Sequence, residues 1–218
     1  LRVADLAVFV VSGVGGIEVQ TEIIWKMAVR AGIPRAIFVN KLDRERANFD
    51  TVLGQLQSRF GAGIAPLQLP IGQEAAFRGI TDLLADKAYA YDKGVAREVP
   101  VPDELAEREH EVHDALIEGI VVGDDDLLER YLDGDVPGLD DLARTLAKGI
   151  ASGSVFPVIC GSATTMVGVD RLLQLIVEEG PSPLDRGPIP LLAGGEDIEI
   201  TPVEDGDALA FVFKSIAD

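Results

Sequence analysis

Four consecutive residues, Asn40, Lys41, Leu42 and Asp43, have types and spacing suited to reading a purine base, and they follow the apolar run Arg35-Ala36-Ile37-Phe38-Val39 directly. An amide, an ammonium and a carboxylate are thereby placed where a strand ends. Ligands of open α/β sheets bind at that carboxyl edge. An ionised carboxylate only accepts hydrogen bonds. Guanine presents two adjacent donors, its ring N1–H and its 2-amino group, so Asp43 can grip it with a paired, charge-assisted contact. Adenine has no such pair. The competing reading is a polar strand exit in which Asp43 caps a helix. A second candidate element, Gly161-Ser162-Ala163, follows the apolar run Val155-Phe156-Pro157-Val158-Ile159-Cys160. Small residues there would let backbone N–H groups approach a planar base, and the Ala163 N–H could donate to the guanine carbonyl.

Other chemistry-bearing residues carry less. No G-x-x-x-x-G-K-[ST] phosphate loop occurs in the 218 residues. Gly13-Val14-Gly15-Gly16 is glycine-rich but has no Lys-Ser/Thr after it, so it is read as a strand exit. Arg78-Gly79-Ile80-Thr81 is read as a turn and the start of a strand or helix. His110 and His113 could share a helical face with Glu107 and Asp114. Zinc accepts such ligands, but no Cys or further His completes a set, and solvated helix residues are the favoured reading. Trp25 and Met27 are read as packing residues, and Cys160 as a small core residue beneath the base site.

The elements that must position these groups follow from periodicity and punctuation. Residues 6–11 are a continuous apolar run, as in a strand buried on both faces. A helix is predicted from Gln20 or Thr21 to about Ala31, with Ile23, Ile24, Met27 and Ala28 as its apolar face. A strand over 35–39 and a helix over 49–60, ended by Gly61, complete a strand–helix–strand–helix order typical of doubly wound α/β folds. The pattern changes near Pro66. Residues 67–71 read as a short strand, 87–91 and 96–101 as further strands, and 103–121, 125–132 and 139–151 as helices. Strand character returns at 155–160, and a helix over 169–179, with Leu172, Leu173 and Ile176 on one face, stops at Gly180-Pro181-Ser182-Pro183. The fold class is therefore α/β, one half of a doubly wound sheet interrupted by an inserted α+β subdomain. The expected division is 1–66 and 155–186 for the interrupted domain, 67–154 for the insertion, 187–206 for a linker and 207–218 for the first strand of a further domain. The chain opens without Met near an apolar strand and closes on another, so a fragment of a longer protein is expected.

Composition bounds the partners. The net charge is −18, yet residues 1–50 hold seven basic and six acidic residues, while residues 101–150 hold 15 acidic and four basic. That second stretch would repel a nucleic-acid backbone, which argues against direct DNA binding and favours a basic protein surface. No apolar run reaches transmembrane length. One cysteine excludes an internal disulfide framework and fits a reducing cytoplasm.

Taken together, the motifs resemble elongation factor G and its paralogues among the translational GTPases. Ser12-Gly13-Val14-Gly15-Gly16-Ile17-Glu18-Val19-Gln20-Thr21-Glu22 is similar to the family's segment after its switch region, and Asn40-Lys41-Leu42-Asp43-Arg44 to its base-recognition motif. Pro66 to Gly72 and Phe77 to Leu83 are similar to the opening of its inserted subdomain. Cys160-Gly161-Ser162-Ala163 is similar to its second base motif, Gly180-Pro181-Ser182-Pro183 to the end of its domain, and Ala208 to Lys214 to the first strand of its β-barrel second domain. The resemblance implies GTP or GDP as ligand, with Asn40 bracing the nucleotide loop and Lys41 stacking along base and ribose. Asp43 would bind the guanine donors, and Gly161, Ser162 and Ala163 would form the loop against the opposite base edge. It implies a ribosome-associated, cytoplasmic GTPase that couples hydrolysis to translocation, whose insertion, about 103–151 here, meets the ribosomal stalk protein. The phosphate loop, the magnesium ligands and the catalytic switch would lie upstream of Leu1, leaving these residues alone inactive. Thr164-Thr165-Met166 stands where the family usually has an aromatic residue and Lys, and Gly180 replaces a usual Leu; both departures imply a divergent paralogue. The alternative from another class is a non-hydrolytic adaptor whose acidic insertion binds the stalk or another basic protein.

Overall fold

The computed structural model describes residues 3–206, 208, 210 and 212. The chain runs β1 (Ala7–Ser12), α1 (Val19–Arg30), β2 (Arg35–Asn40), α2 (Phe49–Phe60) and β3 (Ile64–Pro66). It continues through β4 (Gln68–Ile71), β5 (Gly79–Asp82), β6 (Lys87–Asp92) and β7 (Val95–Val99), then α3 (Asp103–Val121), α4 (Asp125–Leu132) and α5 (Leu139–Ser152). It returns with β8 (Phe156–Cys160) and α6 (Val169–Glu178) and closes with β9 (Ile189–Ala193) and β10 (Glu196–Ile200).

Two sheets organise the molecule. The first has the order β1-β2-β8-β3 and is parallel throughout. Its central strands are apolar on both faces, with Ala36, Ile37, Phe38, Val39, Val158, Ile159 and Cys160 all buried; that is why they read as unbroken apolar runs. The second is an antiparallel meander, β4-β5-β6-β7, lying in sequence between β3 and β8. Helices α3, α4 and α5 pack together through Leu116, Ile120, Leu127, Leu142, Leu146 and Ile150. The fold is thus an α/β parallel sheet interrupted by an α+β subdomain, as the sequence predicts.

Local chemistry fixes the helix ends. Asn48 Oδ1 accepts the Thr51 N–H at 2.8 Å, capping α2. Asp124 does the same for α4 through Leu127 N–H at 3.2 Å. Gly153 closes α5 in the left-handed conformation.

Several expectations are corrected. In α1 the buried residues are Trp25 and Ala28; Ile23, Ile24 and Met27 are exposed, Met27 by 52%. Aromatic packing sets this rotation, since Trp25 stacks on Phe60 at 4.0 Å and meets Phe9 and Phe156 at 5.0 Å each. The buried Arg35 guanidinium lies 4.4 Å from the Phe156 ring centroid, and burial lowers its pKa. In α6 the buried residue is Leu175, and Leu173 and Ile176 are exposed. The strand expected over 67–71 starts at Gln68, after a separate parallel strand, β3, too short to show a period. By contrast, the strand start expected at Arg78–Thr81 is present as β5, where Thr81 Oγ1 accepts the Leu69 N–H. The stretch expected as a linker carries the antiparallel hairpin β9–β10. The strand expected at 207–218 lies largely outside the described residues.

Candidate functional site

Both sequence motifs leave adjacent strands of one parallel sheet at the same end. Strand β2 ends at Asn40 and β8 at Cys160, with Val39 in register with Cys160. The loops that follow are tied by backbone and side chain. Leu42 N–H donates to Gly161 O at 3.3 Å, and Gly161 N–H donates to Val39 O at 2.9 Å. Asn40 Oδ1 accepts from Lys41 N–H at 2.8 Å and from Ala163 N–H at 2.9 Å. One amide oxygen therefore bridges residues 123 positions apart in sequence.

Lys41 adopts the left-handed backbone conformation, φ +66°, and its side chain is exposed. That turn buries Leu42 as an anchor and sends Lys41 and Asp43 to the site. Asp43 is only 16% exposed along its side chain. Its Oδ2 lies 3.6 Å from Arg44 Nε, while its buried Oδ1 has no hydrogen-bond partner. A buried acceptor without a donor costs about 1–3 kcal/mol, more when charged. The carboxylate thus holds one unpaired acceptor oxygen, shielded from solvent, beside the carboxyl edge of the sheet.

The second loop is closed on itself. Ser162 N–H donates to Val167 O at 2.9 Å, and Ser162 Oγ accepts the Thr165 N–H at 3.2 Å. The Ser162 side chain is therefore spent on shaping the loop and is fully buried. A Cβ at Gly161 would fall 2.2 Å from Val167 O, and one at Gly168, where φ is +76°, would fall 2.3 Å from Cys160 O. Both positions need glycine for the chain to pass.

Sequence reasoning missed three contributors. Gly13, read as a strand exit, donates to Asn40 O at 2.7 Å and leaves room for Leu42. Val167 and Gly168 close the second loop; the signal available was Gly168 immediately before an apolar helix. The Ala163 N–H, foreseen as a donor to a base carbonyl, is held by Asn40, so meeting a base requires that amide to share or exchange its acceptor. Burial pushes the Cys160 thiol pKa up, so it is neutral packing beneath the loops. The buried Glu109 carboxyl on α3 also has a raised pKa, chiefly from burial. Among the described residues, no group of three His, Cys, Asp or Glu is arranged to hold a metal ion, and no helix is long and apolar enough to cross a membrane.

Fold and site together define an open-sheet α/β domain whose carboxyl edge carries two tied strand-exit loops. The model of the elongation factor Tu GTP binding domain matches residues 1–182. An elongation factor G-like protein of Thermotoga maritima is 39% identical over 217 residues, covering 99% of this chain and 31% of its own length. Elongation factor G of Mycoplasma pneumoniae is 38% identical over 225 residues, covering 100% of this chain and 32% of its own. A crystal structure of a Thermus thermophilus protein superposes with a TM-score of 0.80 at 36% identity, over 87% of this chain and 29% of that one. The chain belongs to the elongation factor Tu GTP-binding domain family. It spans about a third of the length of the curated relatives it matches.

Proposed function

We propose that these residues read the guanine base in a ribosome-associated GTPase of the elongation factor G type. The observation that carries this reading is Asp43, a nearly buried carboxylate with an unpaired oxygen beside the sheet edge. Guanine N1–H and its 2-amino group are the donor pair that suits it. At about 1.5–3 kcal/mol per bond to a charged group, the pair is worth about 10²–10⁴ in affinity. Lys41 stacks along base and ribose, Asn40 braces both loops, and Gly161, Ser162 and Ala163 form the loop against the opposite edge, where the Ala163 N–H reaches the base carbonyl by sharing or exchanging its Asn40 acceptor. Phosphate and magnesium binding, and hydrolysis, come from other parts of the intact protein, so residues 1–218 alone bind GDP weakly. The acidic helices of 103–151 meet a basic partner, the ribosomal stalk protein being the proposed one.

The test is equilibrium titration of the intact protein with GDP and ADP. Asp43→Ala should weaken GDP binding by about a hundredfold or more and leave the weak ADP binding where it was. Equal GDP affinity in the variant would remove Asp43 from the site. Micromolar GDP affinity for residues 1–218 alone would contradict the assignment of phosphate binding elsewhere.

A further inference from the structure

The inserted meander touches both base-reading loops without contributing a residue to either. On one side Glu74 Oε1 accepts the Arg46 N–H at 2.7 Å, just past Asp43. On the other, the β6–β7 turn abuts the second loop, where a Cβ at Gly94 would fall 2.9 Å from Met166 Cβ. Tyr89 and Tyr91 are two apart on β6, so both point to one face of the strand. That face meets α6: Tyr91 Oη donates to Asp170 Oδ1 at 2.6 Å, and the Arg171 guanidinium sits 4.4 Å from the Tyr89 ring centroid. Arg171 Nε also donates to Asp170 Oδ2 at 3.1 Å. Asp170 lies in the first turn of α6, two residues after Gly168, where the base loop ends. The loop is therefore held at Asn40 on one flank and by the insertion on the other.

We propose that Tyr91 is a positioning residue for guanine binding, latching the insertion to α6 so that the loop carrying Ala163 is held against the base. This rests on the guanine-site reading above. Burial, and then the Asp170 carboxylate, raise the Tyr91 phenol pKa, so it remains a protonated donor. Losing the Tyr91–Asp170 bond frees the β6–β7 turn that abuts Met166.

The experiment uses the intact protein and fluorescent GDP and IDP, whose bases share the 6-carbonyl edge but differ in the 2-amino group. Tyr91→Phe should speed release of both nucleotides by the same factor, about fivefold or more. Met166→Ala should act in the same direction. Tyr91→Phe combined with Asp170→Ala should be no worse than Asp170→Ala alone, since losing the Asp170 acceptor already removes the Tyr91 bond. Lys87→Gln, which breaks the exposed Lys87–Glu98 pair on the same sheet, should leave release unchanged. Unchanged release from Tyr91→Phe, with or without a lowered melting temperature, overturns the proposal while leaving Asp43 as base reader. Failure of the wild-type protein to bind GDP overturns both.

Discussion

Two regions of this molecule use carboxylates in opposite ways. At the edge of the parallel sheet one carboxylate, Asp43, is nearly buried, with one oxygen unpartnered. In the inserted helices many carboxylates are exposed, and several are already paired: Asp124 with Lys148 at 3.4 Å, and Asp135 and Asp141 with Arg130 at 2.8 and 3.3 Å. At the first site, on the proposed reading, the position of a single acceptor selects the base. At the second, exposed pairs of this kind are each worth little, and the proposed attraction to a basic partner comes from the summed field. The proposed specificity rests on geometry in one region and on charge count in the other.

That contrast breaks most sharply under changes of geometry without charge at the edge. Gly168→Ala adds one methyl 2.3 Å from Cys160 O at a left-handed position. It should destabilise folding by about 3 kcal/mol, read by urea unfolding, and weaken guanine binding alongside. A shift below about 0.5 kcal/mol would mean that the loop yields easily. The converse change alters charge without geometry. Replacing the exposed Glu107, Glu111 and Glu118 with Gln should leave unfolding and GDP affinity nearly unaltered. It should slow association with a basic partner about tenfold at low salt and flatten the salt dependence of the rate. A single substitution with the same effect as all three would point to a specific contact instead.

The smallest effect concerns Glu179, at the end of α6. Burial first, then Glu178 and Asp82, raise its pKa from 4.5 to about 7. A raised carboxyl pKa favours the folded state when protonated. That contribution is complete below about pH 4.5 and fades as pH rises through about 7. Glu179→Gln should therefore raise the melting temperature at pH 8 and change it little at pH 4. A gain of equal size at both pH values would show that ionisation is not the cause.

Much of this was legible in sequence, for identifiable reasons. Strand β2 and helix α2 announce themselves because Ala36 to Val39 are buried on both faces and Gly61 ends the helix. The two strand-exit loops could be placed on one edge because strand order fixes it. The rotation of α1 could not be read, since a ring stack with Phe60, 35 residues later in the chain, sets it rather than the helix's own apolar stripe. Strand β3 has three residues and exists through pairing with β8. The β9–β10 hairpin had a signal in Gly194-Gly195, masked by the surrounding prolines and acids. Within the site, residue types named Asn40 and Asp43, but the bond from Ala163 to Asn40 and the closure by Val167 are tertiary facts.

The central claim is that the Asp43 carboxylate chooses the base. The direct measurement is binding of GDP and XDP to the intact protein and to Asp43→Asn. An amide keeps the shape but can donate to the carbonyl that xanthine carries in place of guanine's amino group. The wild type should prefer GDP and the variant XDP. A variant that still selects GDP over XDP would contradict it.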